Sequence, residues 1–221
     1  MSMRIGLTGG IAAGKSAVAQ RLQELGAAII DYDELSHQVV LPGSQALQHI
    51  VMEFGAQALD TKGGLNRSWM ASEVFAPGHE KERQKLESII HPAVFREALS
   101  FDKQFQRQMG EQGKAYLIVH EIPLLAEVAE NIPFSFEHVI SVEAPVDERV
   151  RRMLKTRHMS QRDAVNRVRS QSSQYDRRQV ADIIIDSSQS FEQMFDMVDR
   201  VYEQLIAEDA TTDVGRVSGT K

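Results

Sequence analysis

The stretch Leu7-Thr8-Gly9-Gly10-Ile11-Ala12-Ala13-Gly14-Lys15-Ser16 decides how this chain is read. It satisfies G-x-x-x-x-G-K-[ST] at every fixed position: Gly9, Gly14, Lys15 and Ser16. Gly9 and Gly14 let the backbone turn tightly around an anion where a Cβ would clash. The backbone from Gly9 through Gly10, Ile11, Ala12, Ala13, Gly14, Lys15 and Ser16 to Ala17 then turns its N–H groups onto phosphate oxygens. A helix beginning near Lys15 adds the positive end of its dipole. The Lys15 ammonium reaches the β/γ-phosphates and the Ser16 hydroxyl ligates Mg²⁺. The alternative is a chance glycine turn. The apolar strand before the loop and the helix after it, both of which the motif demands, count against that. The motif implies a bound nucleoside triphosphate and leaves the second substrate open.

Outward from the loop, Arg4-Ile5-Gly6-Leu7-Thr8 reads as a buried strand. Val18, Leu22 and Leu25 mark a helix over 16–25, ended by Gly26, and Ala27-Ala28-Ile29-Ile30-Asp31 reads as a second strand. Residues 33–112 look largely helical, broken at Pro42-Gly43, at Thr61-Lys62-Gly63-Gly64 and at His91-Pro92. That is too long for a simple crossover and predicts an inserted helical lobe in which Trp69 packs. Ala115-Tyr116-Leu117-Ile118-Val119, His138-Val139-Ile140-Ser141-Val142 and Asp182-Ile183-Ile184-Ile185-Asp186 are three further strands. Continuous apolar runs separated by helices suit a parallel sheet covered on both faces. The fold predicted is α/β, a P-loop NTPase-type parallel sheet flanked by helices. Its core covers about 1–40, 113–145 and 180–207, the helical substrate lobe about 41–112 and an arginine-rich lid about 146–179. Phe195, Val198, Tyr202 and Leu205 give the last helix its inner stripe, and 208–221 reads as a disordered tail.

Composition narrows the partners. The 221 residues carry 25 Lys and Arg against 31 Asp and Glu, a net charge of −6, which argues against a dedicated nucleic-acid binder. Cysteine is absent, so disulfides, thiolate metal sites and Cys nucleophiles are excluded. No apolar run approaches the ~18 residues of a membrane helix, and no signal-peptide pattern follows the N-terminus. The location expected is cytoplasmic. The seven histidines show no metal spacing, and there is no G-x-S-x-G elbow.

Three further features carry chemistry. Asp31 and Asp33 follow the second strand at the carboxyl edge, where ligands bind in open α/β sheets. One of them caps the next helix, as Asp does well, and the other is left to orient or deprotonate an attacking hydroxyl. Glu121 ends the central strand at the same edge. It either holds Mg²⁺ through a water or pairs with Lys15 or a lid arginine. Between Pro145 and Asp182 lie ten of the 25 basic residues: Arg149, Arg151, Arg152, Lys155, Arg157, Arg162, Arg167, Arg169, Arg177 and Arg178. They form a solvated helix face, or a lid from which two or three reach phosphate or base.

Taken together the chain resembles the dephospho-CoA kinases. The resemblance rests on the phosphate loop, Ile30-Asp31-Tyr32-Asp33, Gln38-Val39-Val40 with Pro42-Gly43, and Phe54-Gly55. It continues through His91-Pro92, Pro123-Leu124-Leu125 with Glu127, Ala181-Asp182 and Ile185-Asp186, and spans about residues 3–205. It implies transfer of the ATP γ-phosphoryl group to the ribose 3′-hydroxyl of dephospho-CoA, the last step of coenzyme A synthesis, with Mg²⁺. Asp33 matches the second acid of D-x-D and is the implied general base. Arg152 matches a lid arginine near the phosphates, with Arg157 as a second candidate beside it. The implied adenine contacts fall at Asp186 and Ser187. Implied substrate positions are Thr8, Asp31, Asp33, His37, His91, Pro123, Leu124, Leu125 and Glu127. The family often has Gly where Ala12 stands, a change that negative φ would accommodate, and an arginine where His37 stands. A nucleoside or nucleotide kinase shares the loop without this wider pattern. A regulatory GTP switch would carry N-K-x-D, which is missing.

Overall fold

A computed structural model describes residues 2–110 and 116–217, with side chains at 2–108 and 116–209. Strand β1 (Ser2–Gly9) runs into the glycine loop and helix α1 (Lys15–Glu24), followed by β2 (Ala28–Asp31). Helices α2 (Tyr32–Gln38), α3 (Gln45–Phe54), α4 (Arg67–Val74) and α5 (Glu80–Gly110) come next. Then follow β3 (Tyr116–Glu121), the single turn α6 (Leu125–Val128) and β4 (His138–Glu143). Helices α7 (Val146–Arg157), α8 (Gln161–Arg169) and α9 (Gln174–Gln179) lead to β5 (Ile183–Asp186) and α10 (Phe191–Val217).

The chain divides into two compact units, one of residues 1–31 and 102–221, the other of residues 32–101. The first is built on five parallel strands in the order β2-β3-β1-β4-β5. All six residues of β3 are buried, which is why that strand reads as an unbroken apolar run rather than an alternating one. Ile5, Leu7, Leu117, Ile140 and Ile185 pack with Val18 and Leu22 of α1 and Val198 and Leu205 of α10. Arg21 ties α1 to α10 through a two-pronged pair with Asp199 at 2.7 and 2.6 Å. In the second unit a separate core gathers Val40, Ala46, Ile50, Ala58, Met70, Val74 and Ala93, with Trp69 packed against it.

In the course of its helices the structure departs from the sequence reading at three places. His91-Pro92 does not interrupt the helix: α5 passes through it. Proline already has a helical φ, and the lost hydrogen bond is outweighed where Ala93, Val94, Phe95 and Ala98 are all buried just beyond it. The second unit begins at residue 32 and ends at 101, so the latter part of α5 belongs with the sheet; the expected ending at residue 112 lies outside the described residues. Helix α10 does not stop near Ala207 but continues to Val217, with Asp209 buried. No proline stands in that stretch to stop it. Residues 218–221 of the expected tail lie outside the described residues.

His120 sits fully buried on β3, against the rings of Phe134 and Phe136 and 4.0 Å from Asp102, which itself binds Arg4 at 2.6 Å. Burial, with the Arg4 charge nearby, pushes the His120 ring down to about 3. The unfolded chain therefore takes up a proton between about pH 6.5 and 3 that the folded chain refuses, and stability falls as pH falls through that window. Between pH 7 and 5 the penalty from this residue is about 2 kcal/mol. Urea midpoints of the wild type should fall accordingly, and those of His120→Leu should fall less; parallel curves would remove this role from His120.

Candidate active site

β1 delivers Gly9 to the carboxyl edge of the sheet, and residues 10–14 turn the chain into α1. A Cβ on Gly9 would stand 2.6 Å from the Val142 carbonyl oxygen, so only glycine lets the loop leave the sheet this closely. Gly14 (φ +100°) and Ala12 (φ +59°) both hold left-handed backbone. Negative φ at Ala12, the condition under which alanine would fit there, is thus not what the loop adopts. An L side chain pays roughly 1 kcal/mol for this conformation. Ala12→Gly should raise stability by about 0.5 kcal/mol, read as a higher urea midpoint at unchanged slope. A lower midpoint would mean that the alanine is unstrained.

Inside the loop, Lys15 Nζ lies 2.5 Å from Glu121 Oε1, and Ser16 Oγ donates to the same oxygen at 3.3 Å. The register explains why they meet. Glu121 pairs with Leu7 of β1 on one side and Asp31 of β2 on the other, so three chain ends converge at one point of the edge. A hydroxyl and a carboxylate side by side are hard oxygen donors suited to Mg²⁺, which keeps most of its shell as water and phosphate. Among the described residues no group of three or more His, Asp and Glu side chains forms a metal cage, so an ion here would depend on the nucleotide for its remaining ligands. Ala17 N–H is engaged by the Gly14 carbonyl at 3.0 Å, as the first helical turn requires.

The outer face of the loop is clamped. Arg152 Nη1 donates to the Ala12 and Ala13 carbonyls, both at 3.3 Å, and Nη2 to the Ser187 carbonyl at 2.5 Å. The buried Ser187 hydroxyl donates to the Ala13 carbonyl, and Ser187 N–H to the Glu143 carbonyl at 2.9 Å. Arg152 therefore meets the loop through its carbonyls. Arg157, the last residue of α7, is exposed. Asp186 closes β5; hydrogen bonding from Ser188, whose N–H lies 2.8 Å away, holds its carboxyl below the usual range.

The basic segment is three helices because of local chemistry. His158 takes left-handed backbone at the end of α7, and the Ser160 and Ser173 hydroxyls cap α8 and α9. The loop from α8 to α9 meets both the phosphate loop and α6: Ile11 N–H donates to Gln171 Oε1 at 2.8 Å, and Ser172 N–H donates to Glu127 Oε1 of α6 at 2.8 Å. Thr8 is fully buried, its hydroxyl 3.4 Å from the Pro123 carbonyl. Leu125 is buried against Gly6, whereas Leu124 is exposed. In the second unit Asp33 and His37 lie on α2, both exposed, and the His91 ring stands 6.2 Å from that of Phe95 on α5.

Four residues at the loop were not singled out by the sequence: Arg149, Arg177, Glu143 and Gln171. Arg177 is almost fully buried and grips Glu143 with two 2.7 Å bonds, while Arg149 packs over Gly10. The available signal was the i, i+4 placement of Arg149 and Met153, both buried on one face of α7.

Among proteins of known family, a dephospho-CoA kinase family model matches residues 3–193. The dephospho-CoA kinase of Bifidobacterium longum is 50% identical over 204 residues, covering 90% of this chain and 95% of its own. Among solved structures, TT1252 from Thermus thermophilus superposes with a TM-score of 0.74 at 26% identity, covering 94% of this chain and 97% of its own. The dephospho-CoA kinase from Campylobacter jejuni, at 22% identity, shares the fold with a TM-score of 0.58 over 93% of this chain and 98% of its own.

Proposed function

The chain belongs to the dephospho-CoA kinase family, and on that premise we propose how its residues phosphorylate dephospho-CoA. The substrates are ATP and dephospho-CoA; the products are ADP and coenzyme A. The observation that carries the reading is the convergence of Lys15 and Ser16 on Glu121 at the mouth of the glycine loop. Loop amides and the N-terminus of α1 hold the inner phosphates. Lys15 swings from Glu121 to the terminal phosphates and neutralises charge gathering there. Ser16 and Glu121 would hold Mg²⁺, which when bound screens the β- and γ-oxygens.

Asp33 accepts the proton of the ribose 3′-hydroxyl as its oxygen attacks Pγ. The new O3′–Pγ bond forms, the bond from Pγ to the bridging oxygen breaks, and ADP leaves with that electron pair. This role is supported by the D-x-D match directly after β2, a strand whose final residue, Asp31, lies in register with Glu121. Arg152 keeps the loop in shape through its carbonyls, and Asp186 and Ser187 flank the base. On the resemblance alone we assign His91, Pro123, Leu124 and Glu127 to the CoA side, and with them His37, which stands where the family has an arginine.

The test is acceptor-dependent ADP release from ATP and Mg²⁺, with coenzyme A identified by mass. Dephospho-CoA should stimulate ADP release and yield coenzyme A. If no coenzyme A forms while another small metabolite is phosphorylated, the substrate assignment fails.

A further inference from the structure

One buried charge is left over by this mechanism. Arg149 of α7 is 3% exposed, and its Nε and Nη1 have no hydrogen-bond partner. Its neighbour Arg177 is fully engaged: Nε and Nη2 each donate to the Glu143 carboxylate at 2.7 Å, and Nη1 to the Ser172 carbonyl at 2.7 Å. Two guanidinium groups thus share one carboxylate, and the surplus positive charge lies on Arg149. Burial, and then the Arg177 charge, lower its pKa from the ordinary arginine value, the signature of a cation lacking its anion. An interior charge without a partner is costly and persists where function requires it.

The unpaired edge of Arg149 is directed at the phosphate loop. A Cβ on Gly10 would collide with Arg149 Nη1, approach its Cζ to 2.9 Å and stand 3.0 Å from Arg177 Nη2. Gly10, which the motif leaves variable, is glycine here because a guanidinium fills its side-chain space. The adjacent amide, Ile11 N–H, already points at an acceptor oxygen, that of Gln171 at 2.8 Å. This end of the loop therefore offers an orphan cation and an amide held by a neutral, replaceable side chain. The opposite end, where the loop amides run into the start of α1, is where the inner phosphates are gripped, and the long Lys15 side chain reaches from there toward the terminal ones.

We propose that Arg149 binds an oxygen of the terminal phosphoryl group of ATP and stabilises its charge during transfer. Arg177 and Glu143 act as positioning residues that hold the guanidinium over Gly10, and Gln171 Oε1 marks the place a phosphoryl oxygen takes on Ile11 N–H. The proposal rests on the phosphoryl-transfer reading above and adds a residue to it.

The test uses the full chain with Arg149→Met and Arg149→Lys. Arg149→Met should lower kcat for coenzyme A formation about 100-fold. It should weaken a non-hydrolysable ATP analogue at least tenfold in calorimetry while ADP affinity stays within threefold. Because the variant removes an unpaired buried charge, its urea midpoint should rise. Arg149→Lys, which keeps charge without the fork, should fall between the two in rate. A merely structural arginine would instead give a lower midpoint and equal losses for both nucleotides. That pattern, or a wild-type rate in Arg149→Met, overturns the proposal. Should Arg149→Met not fold, the ratio of ATP-analogue to ADP affinity in Arg149→Lys decides: unchanged, it overturns the assignment; reduced, it supports it. Wild-type protein that makes no coenzyme A would sink the reaction reading itself, a result distinct from any of these.

Discussion

Lys15→Ala is expected to lower coenzyme A formation by roughly 10³-fold or more, the largest effect of any single substitution here. The ammonium is the group best placed to follow charge onto the terminal phosphates, and no other lysine lies in the loop. The substitution also disturbs the resting protein. Lys15 and Glu121 are 13% and 7% exposed and 2.5 Å apart, so removing the ammonium leaves a nearly buried carboxylate beside the Ser16 hydroxyl. That costs about 3 kcal/mol in stability. The two effects separate in the double variant Lys15→Met, Glu121→Gln. It removes both charges, so its urea midpoint should recover most of the loss, while its turnover should stay well below that of Glu121→Gln alone, which keeps the ammonium. Turnover that recovers with the midpoint would reduce Lys15 to a structural role.

Asp33→Asn is expected to depress kcat by about 10³-fold while ATP affinity changes less than threefold. The side chain is exposed in the first turn of α2, so the amide is accommodated without a burial penalty. Loss of a favourable charge at a helix N-terminus costs about 0.5 kcal/mol, and the urea midpoint of the variant separates any loss of folding from loss of chemistry. Calorimetry with ATP and Mg²⁺, beside steady-state rates, measures affinity and turnover. A variant that turns over at near wild-type rate removes Asp33 as the base.

Much of this site was legible before any coordinates. The glycine loop was readable because Gly9, Gly14, Lys15 and Ser16 act within one turn of chain, where conformation and chemistry are both local. The five strands were readable because a sheet covered on both faces demands continuous apolar runs, and β3 is buried at all six positions. Glu121 ends the central strand in the sequence pattern as in the structure, where it pairs with Lys15. The sign of φ at Ala12 was not legible, because the turn around the loop, not the residue, sets it. Pro92 misled for a related reason. Proline's local preference argues for a break, and burial of the residues after it outweighs that preference.

The arginines show the division most sharply. Ten basic residues between Pro145 and Asp182 announce a cationic segment beside a phosphate loop, and composition with helical spacing suffices for that. Which of them lies inside depends on the phase of α7 against the sheet and on where α9 meets β4. Those are contacts between residues more than 30 positions apart, such as Arg177 with Glu143 and Arg152 with Ser187. Sequence alone determined the anion-binding loop and the parallel sheet, since glycine conformations and apolar periodicity are short-range properties; the family entered through the resemblance of its motifs. Tertiary structure alone decided that Arg152 clamps the loop's carbonyls, that Arg157 faces water and that Arg149 stands over Gly10 without a counter-charge, because burial and pairing exist only once distant segments pack.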